Sequence, residues 1–158
     1  MRKVIYPGSF DPLTLGHINI IERVKSQVDH LVILVSLSES KNYMFSPEER
    51  CQLIKEYFHE DPQISVETHE GLTVNYMKLH DIKTIVRGVR TVSDFEMEHS
   101  MSYLNKQLYS EIETFIIFSD PIYTSISSRF IKEIAKNGGS LNKMVPKNVE
   151  KKLIEQFK

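Results

Sequence analysis

Residues 3–17 read Lys3-Val4-Ile5-Tyr6-Pro7-Gly8-Ser9-Phe10-Asp11-Pro12-Leu13-Thr14-Leu15-Gly16-His17. A short β-branched run, Val4–Tyr6, passes through a Pro-Gly-Ser turn into a segment with helical spacing. That segment extends from about His17 to Val28 and sets Ile18, Ile21 and Val28 on one stripe. A strand, a glycine turn and a helix in this order form the opening unit of an α/β sheet. Further apolar runs at Leu31–Leu37, Ile64–Val66, Thr84–Val86 and Phe115–Phe118 have the composition of buried parallel strands. Helical patterns separate them: one beginning at Ser46, then Thr73–Leu79, Ser93–Tyr109 and Ser127–Lys136, with a final amphipathic stretch from Pro146 to Phe157. Ser46, Pro47 and Glu49 supply a capping serine, a proline at the first helical position and a glutamate three residues after the cap. Asn137-Gly138-Gly139 ends the fifth helix.

The expectation is one α/β domain over residues 1–158: a five-stranded, mostly parallel sheet with helices on both faces. In such sheets ligands bind beyond the carboxyl ends of strands, near the reversal of strand order. With 158 residues the chain suits one core rather than two. A formal net charge of −1 argues against a general nucleic-acid binder. No apolar stretch approaches the ~20 residues of a membrane helix, and no signal-peptide pattern precedes the first strand. The lone cysteine, Cys51, cannot form an internal disulfide and reads as a packed helix residue rather than a nucleophile. A cytoplasmic location is expected.

The chemistry should then lie at the strand-to-helix turns. In the first turn, Gly8 permits close backbone approach, Ser9 adds a hydroxyl, and His17 stands at a helix start, where free N–H groups favour an anion. Neither a Walker loop nor a G-x-G-x-x-G spacing is present. Arg87 and Arg90, at the end of the fourth strand, suit planar contacts with phosphate and are costly to bury without an anion. Ser127 and Ser128 precede the fifth helix, where hydroxyls and amides can hold a terminal phosphate. The Met97, Met101, Leu104 and Leu108 stripe reads as core or subunit contact.

The run Tyr6–Pro12 followed by Thr14-Leu15-Gly16-His17 resembles the signature of the nucleotidyltransferase superfamily with a T/H-x-G-H motif. Thr14 in place of the more frequent first histidine is similar to the phosphopantetheine adenylyltransferase branch. Later runs are similar to the same branch: Ser38–Phe45 (K-x-x-x-F from Lys41, with Glu39 where the family's S-x-K has serine), Gly71–Asn75 (with Thr73), Asp94-Phe95-Glu96-Met97-Glu98, and Ile126-Ser127-Ser128. Arg129 stands where the family usually has a third serine.

The resemblance implies a Rossmann-like fold that transfers AMP from ATP to the phosphate of 4'-phosphopantetheine, giving dephospho-coenzyme A and pyrophosphate. It implies His17, Lys41 and Arg90 as catalytic residues. On the ATP side it implies Ser9, Phe10, His17, Gly88, Val89, Arg90 and Glu98, with Tyr123, Thr124, Ser125, Ile126, Ser127, Ser128 and Arg129. On the acceptor side it implies Ser9, Lys41, Thr73 and Arg87. Mg²⁺ would be bridged mainly by phosphates, with no dense carboxylate cluster. A homohexamer and feedback inhibition by coenzyme A are further implications. Two alternatives stay open at this point. One is a transferase of the same fold acting on nicotinamide mononucleotide or a cytidylyl acceptor. The other is a non-catalytic nucleotide-binding module.

Overall fold

The computed structural model describes residues 2–38, 42–59 and 61–157. Lys41 therefore lies outside the described residues. Five strands, β1 (Lys3–Gly8), β2 (His30–Leu37), β3 (Ile64–Glu70), β4 (Thr84–Val89) and β5 (Glu113–Phe118), form one sheet in the order β3-β2-β1-β4-β5. Every pairing is parallel. The helices between and after them are α1 (Leu15–Lys25), α2 (Pro47–Phe58), α3 (Thr73–Leu79), α4 (Val92–Leu108), α5 (Ser128–Lys136) and α6 (Lys147–Gln156). A single 3₁₀ turn, Pro121–Tyr123, bridges β5 to α5.

Alternate residues of the central strands divide the core in two, because successive side chains on a strand point to opposite faces. Val4, Tyr6, Leu31, Ile33 and Val35 face α1, α2, α5 and α6. Ile5, Val32, Leu34 and Ile85 face α3, with Ile82 and Ile112 completing that smaller cluster. Both faces are covered, as the continuous apolar composition of these strands requires.

Element ends follow local chemistry. Ser46 caps α2 through a full capping box: its hydroxyl accepts from Glu49 N–H at 3.2 Å, and Glu49 Oε2 accepts from Ser46 N–H at 2.9 Å. Helix α1 stops at Lys25, earlier than the apolar stripe suggests. Val28 still packs against the core from the following turn. Strand β4 continues beyond Val86 because Arg87, Gly88 and Val89 each pair with β5. Arg87 therefore projects from a strand, and only Arg90 lies past its end.

The Met/Leu stripe of α4 is not core in this chain. Met97, Met101, Leu104 and Leu108 are all at least 45% exposed, and α4 buries only Glu98. Its attachment to the sheet rests on ion pairs, Glu98 with Arg87 of β4 and Lys106 with Glu113 of β5, rather than on an apolar face.

The pairing of β1 with β4 differs from the others. β1 pairs with β2, and β4 with β5, over six residues each, whereas β1 meets β4 in register only at Ile5–Ile85. The order of strands reverses at this seam, and the turns after β1 and β4 leave it in opposite directions. Ser46→Ala should lower stability by about 1 kcal/mol, the usual effect of removing a capping serine. The expected shift in thermal midpoint is a fall of about 3 °C by calorimetry, with nucleotide binding unchanged.

Candidate active site

A cavity of about 620 Å³ opens at the β1/β4 seam. Its floor is the turn after β1. Phe10 takes a positive φ of 46° there, and its ring is 1% exposed, edge-on to Tyr6 at 5.6 Å and to His17 at 5.0 Å. A Cβ on Gly8 would stand 2.9 Å from that ring, so the position requires glycine. The buried carboxylate of Asp11 accepts from Met44 N–H (2.9 Å), Phe45 N–H (3.0 Å) and Lys132 Nζ (2.9 Å). It thereby fastens the turn to the segment before α2 and to α5.

The Thr14–His17 spacing is that of a helix cap. The Thr14 hydroxyl accepts from His17 N–H at 3.3 Å, and Thr14 N–H donates to His17 Nδ1 at 3.1 Å. This is a capping box with histidine in the place of glutamate. Its chemical consequence is a fixed tautomer. A backbone N–H can only donate, so Nδ1 is the acceptor and the neutral ring carries its proton on Nε2. His17 is both a helix cap, through Nδ1, and a hydrogen-bond donor, through Nε2.

Its protonation state is also set. Burial in the cavity wall, reinforced by the positive charges of Arg90 and then Arg87, lowers the His17 pKa to about 4. The ring still lines the cavity and keeps part of its surface open. It is therefore a neutral donor at pH 7.

The two arginines are not held waiting for an outside anion, as their sequence position suggested. Arg87 makes a bidentate pair with Glu98, Nε to Oε2 at 2.7 Å and Nη2 to Oε1 at 2.5 Å, and donates Nη1 to Pro7 O at 2.7 Å. Glu98 is only 4% exposed. Arg90 donates Nε to Asp94 at 3.3 Å and Nη1 to Ile126 O at 2.9 Å. Both guanidiniums line the cavity with part of their surface exposed, so each retains capacity for a phosphate oxygen.

The start of α5 lines the same cavity. The Ser127 hydroxyl accepts from Phe130 N–H at 3.2 Å, and its own hydrogen has no acceptor among the described residues. The Ser128 hydroxyl donates to Pro12 O at 2.8 Å, so that hydrogen is committed to the first turn. Arg129 is exposed at the cavity edge.

Of the residues expected from sequence, Ser9, His17, Thr73, Arg87, Gly88, Arg90, Glu98, Ile126, Ser127, Ser128 and Arg129 share this one cavity. The side chains of Phe10 and Val89 are buried behind it. Tyr123, Thr124 and Ser125 lie in and just after the 3₁₀ turn, outside the cavity wall; Tyr123 packs beside Gly16. Sequence reasoning missed Ser36 and Ser119, which follow the strand-end rule, and Asn105, which continues the Met97–Met101 face at helical spacing. Met97 and Met101 line the cavity rather than a core.

Among the described residues no group of three or more His, Cys, Asp or Glu is placed to hold a metal ion. The two carboxylates in the cavity wall, Asp94 and Glu98, are both paired with arginine. Such a wall suits a divalent cation carried on phosphate oxygens rather than a protein cage. No helix among the described residues is long and apolar enough to cross a membrane.

Residues 5–134 match the cytidylyltransferase-like family model. A phosphopantetheine adenylyltransferase of Dictyoglomus turgidum is 46% identical over 158 residues, covering 100% of this chain and 99% of the relative. One of Caldanaerobacter subterraneus is 44% identical over 158 residues, again covering 100% and 99%. One of Leptospira biflexa is 41% identical over 153 residues, covering 97% and 96%. In fold, the chain is similar to the crystal structure of a putative nicotinate-nucleotide adenylyltransferase from Vibrio parahaemolyticus. The TM-score is 0.71 at 16% identity, covering 98% of this chain and 93% of the other.

The state of His17 can be tested by NMR. Its ring signals should titrate with a midpoint near 4, not near 6.5, and the nitrogen shifts at neutral pH should report the Nε2–H tautomer. Bound pyrophosphate should raise the midpoint, because an anion offsets the field of the arginines. The folded state binds this proton more weakly than the unfolded chain does. The His17 contribution therefore costs no stability above pH 6.5 and destabilises progressively as pH falls toward 4.

Proposed function

Because this chain belongs to the phosphopantetheine adenylyltransferase family, within the cytidylyltransferase-like nucleotidyltransferases, we propose that its cavity transfers the adenylyl group of ATP to 4'-phosphopantetheine. The products are dephospho-coenzyme A and pyrophosphate. The observation that carries the residue-level reading is the fixed Nε2–H tautomer of His17, a neutral donor beside two arginines and a helix N-terminus.

In the reaction, a phosphate oxygen of the acceptor forms a bond to the α-phosphorus of ATP. The bond from that phosphorus to the bridging oxygen breaks, and pyrophosphate departs with its electron pair. The nucleophile is already an anion near neutral pH, so no general base is needed. A histidine with pKa about 4 would be a poor proton acceptor there and is well suited to donating a hydrogen bond. His17 Nε2–H stabilises the charge that builds on the α-phosphate. Arg90, the free hydroxyl hydrogen of Ser127 and the α5 amides receive the leaving pyrophosphate, with Arg129 at the rim. Ser9, Thr73 and Arg87 line the acceptor side, where Lys41 contributes its ammonium by family resemblance. Glu98 holds Arg87 flat against the seam, which leaves the guanidinium oriented before substrate arrives. Glycine at 88 matters because a Cβ would stand 3.1 Å from Ile20 and 3.3 Å from the Tyr6 hydroxyl.

Mg²⁺, held by the phosphates, would offset their mutual repulsion when bound. The chain acts as one domain over residues 1–158. A cytoplasmic setting accords with its single cysteine, which is buried and whose thiol pKa is raised by that burial. The exposed apolar residues of α4 and β5, among them Met97, Leu104, Phe115 and Phe118, support the family's homohexamer as the working assembly. Coenzyme A, which shares the pantetheine arm and adenylyl group, would compete for this cavity as a feedback inhibitor.

Purified protein with ATP, 4'-phosphopantetheine and Mg²⁺ should release pyrophosphate, while nicotinamide mononucleotide as acceptor and CTP as donor should give only background. His17→Ala should lower kcat at least ~100-fold, the lower end for removing one such donor, with ATP affinity changed less. Normal turnover in that variant would sink the role given to His17. Light scattering should give about six times the chain mass of 18.4 kDa. A monomer would remove the hexamer.

A further inference from the structure

Arg50 is the residue the proposed reaction leaves unexplained. It stands in the first turn of α2 and is 1% exposed, yet it has no carboxylate partner among the described residues. Its Nη1 donates to Ser9 O at 2.8 Å, and its Nε reaches Ser46 O at a longer 3.4 Å. The guanidinium lies over the Tyr43 ring, 4.2 Å from the centroid. Nη2 is buried and makes no hydrogen bond. By contrast, Arg87 and Arg90 are less buried and each has an acidic partner.

A buried cation with an unsatisfied donor is costly, and carbonyls and an aromatic face compensate it only in part. Its neighbours say what else could. Ser9 O belongs to the phosphate turn, and Tyr43 and Ser46 flank the segment whose Met44 and Phe45 amides Asp11 holds. Arg50 thus joins the two pieces of chain that converge on the acceptor side, and it presents its charge behind them.

Resting on the assignment of Ser9 and Lys41 to the acceptor's phosphate, we propose that Arg50 is a positioning residue for that phosphate. It pins the Ser9 carbonyl and the Tyr43–Ser46 segment from behind, and the dianionic acceptor phosphate is the counter-charge its buried guanidinium lacks. Pinning that carbonyl also polarises the Ser9–Phe10 peptide and makes its N–H a stronger donor, directed away from Arg50 across the trans peptide.

The test uses the wild-type enzyme, Arg50→Met and Arg50→Lys. Calorimetry measures binding of 4'-phosphopantetheine and of ATP separately, and a thermal melt is run without ligand. In Arg50→Met the acceptor should bind about tenfold more weakly and ATP within about twofold of wild type. The ligand-free melting temperature should not fall, because an unpaired buried charge has been replaced by an apolar side chain. Arg50→Lys retains the charge and should recover acceptor binding to within about threefold. Equal weakening of ATP and acceptor, or a lower melting temperature without selective loss of acceptor binding, would overturn the inference. So would a lysine variant as poor as the methionine one. If Arg50→Met does not fold, the lysine variant decides alone: near-normal acceptor binding supports the proposal, and a tenfold loss ends it. Wild-type enzyme that binds ATP but not 4'-phosphopantetheine would instead refute the underlying acceptor assignment.

Discussion

The molecule depends on the seam where β1 and β4 lie side by side. Two runs of parallel pairing, β3-β2-β1 and β4-β5, meet there at Ile5 and Ile85. Beyond that point the carbonyl of Pro7 is met by the side chain of Arg87 rather than by a neighbouring strand. An arginine stands in for a ladder hydrogen bond, and Glu98 of α4 closes the set. The seam can therefore be short without leaving a buried carbonyl unpaired, and the space it concedes is the cavity.

The same ion pair accounts for α4. This helix buries only Glu98, so its place over the sheet is given by that carboxylate on a strand arginine, with Lys106 on Glu113 of β5 as a second, exposed tie, rather than by an apolar stripe. Breaking a buried pair is far more costly than losing an exposed one. Met97, Met101 and Asn105 reach the cavity because Glu98 orients the helix that carries them.

Much of this was legible in the residues, for identifiable reasons. Ser46-Pro47-Glu49 marked the start of α2, because a capping box is a local device written within four positions. The bounds of α3 were readable from Thr73 to Leu79. The cavity itself followed from the rule that ligands collect at carboxyl ends near the reversal of order. The Arg87–Glu98 partnership was not legible, since the two lie on different elements and the sequence points each of them toward the nucleotide or its acceptor rather than toward the other. The stripe on α4 left core and subunit contact both open, because periodicity shows that a face exists and not what it meets; its exposure removes the core. The short extent of the apolar run Thr84–Val86 hid the rest of β4, whose continuation depends on β5 and not on its own composition. The commitment of Ser128 was equally invisible: it spends its hydrogen on Pro12, from a turn more than a hundred residues away.

The capping box of Thr14 and His17 has a consequence for anyone who would engineer this protein. Cap optimisation is a standard route to thermostability, and a glutamate at position 17 is the replacement such a scheme would favour. It would keep the cap and delete the Nε2–H donor, so a more heat-resistant variant and an inactive one would be the same molecule. The three-residue interval of the motif is then a helix-capping interval, and selection for folding and for turnover meets in a single imidazole.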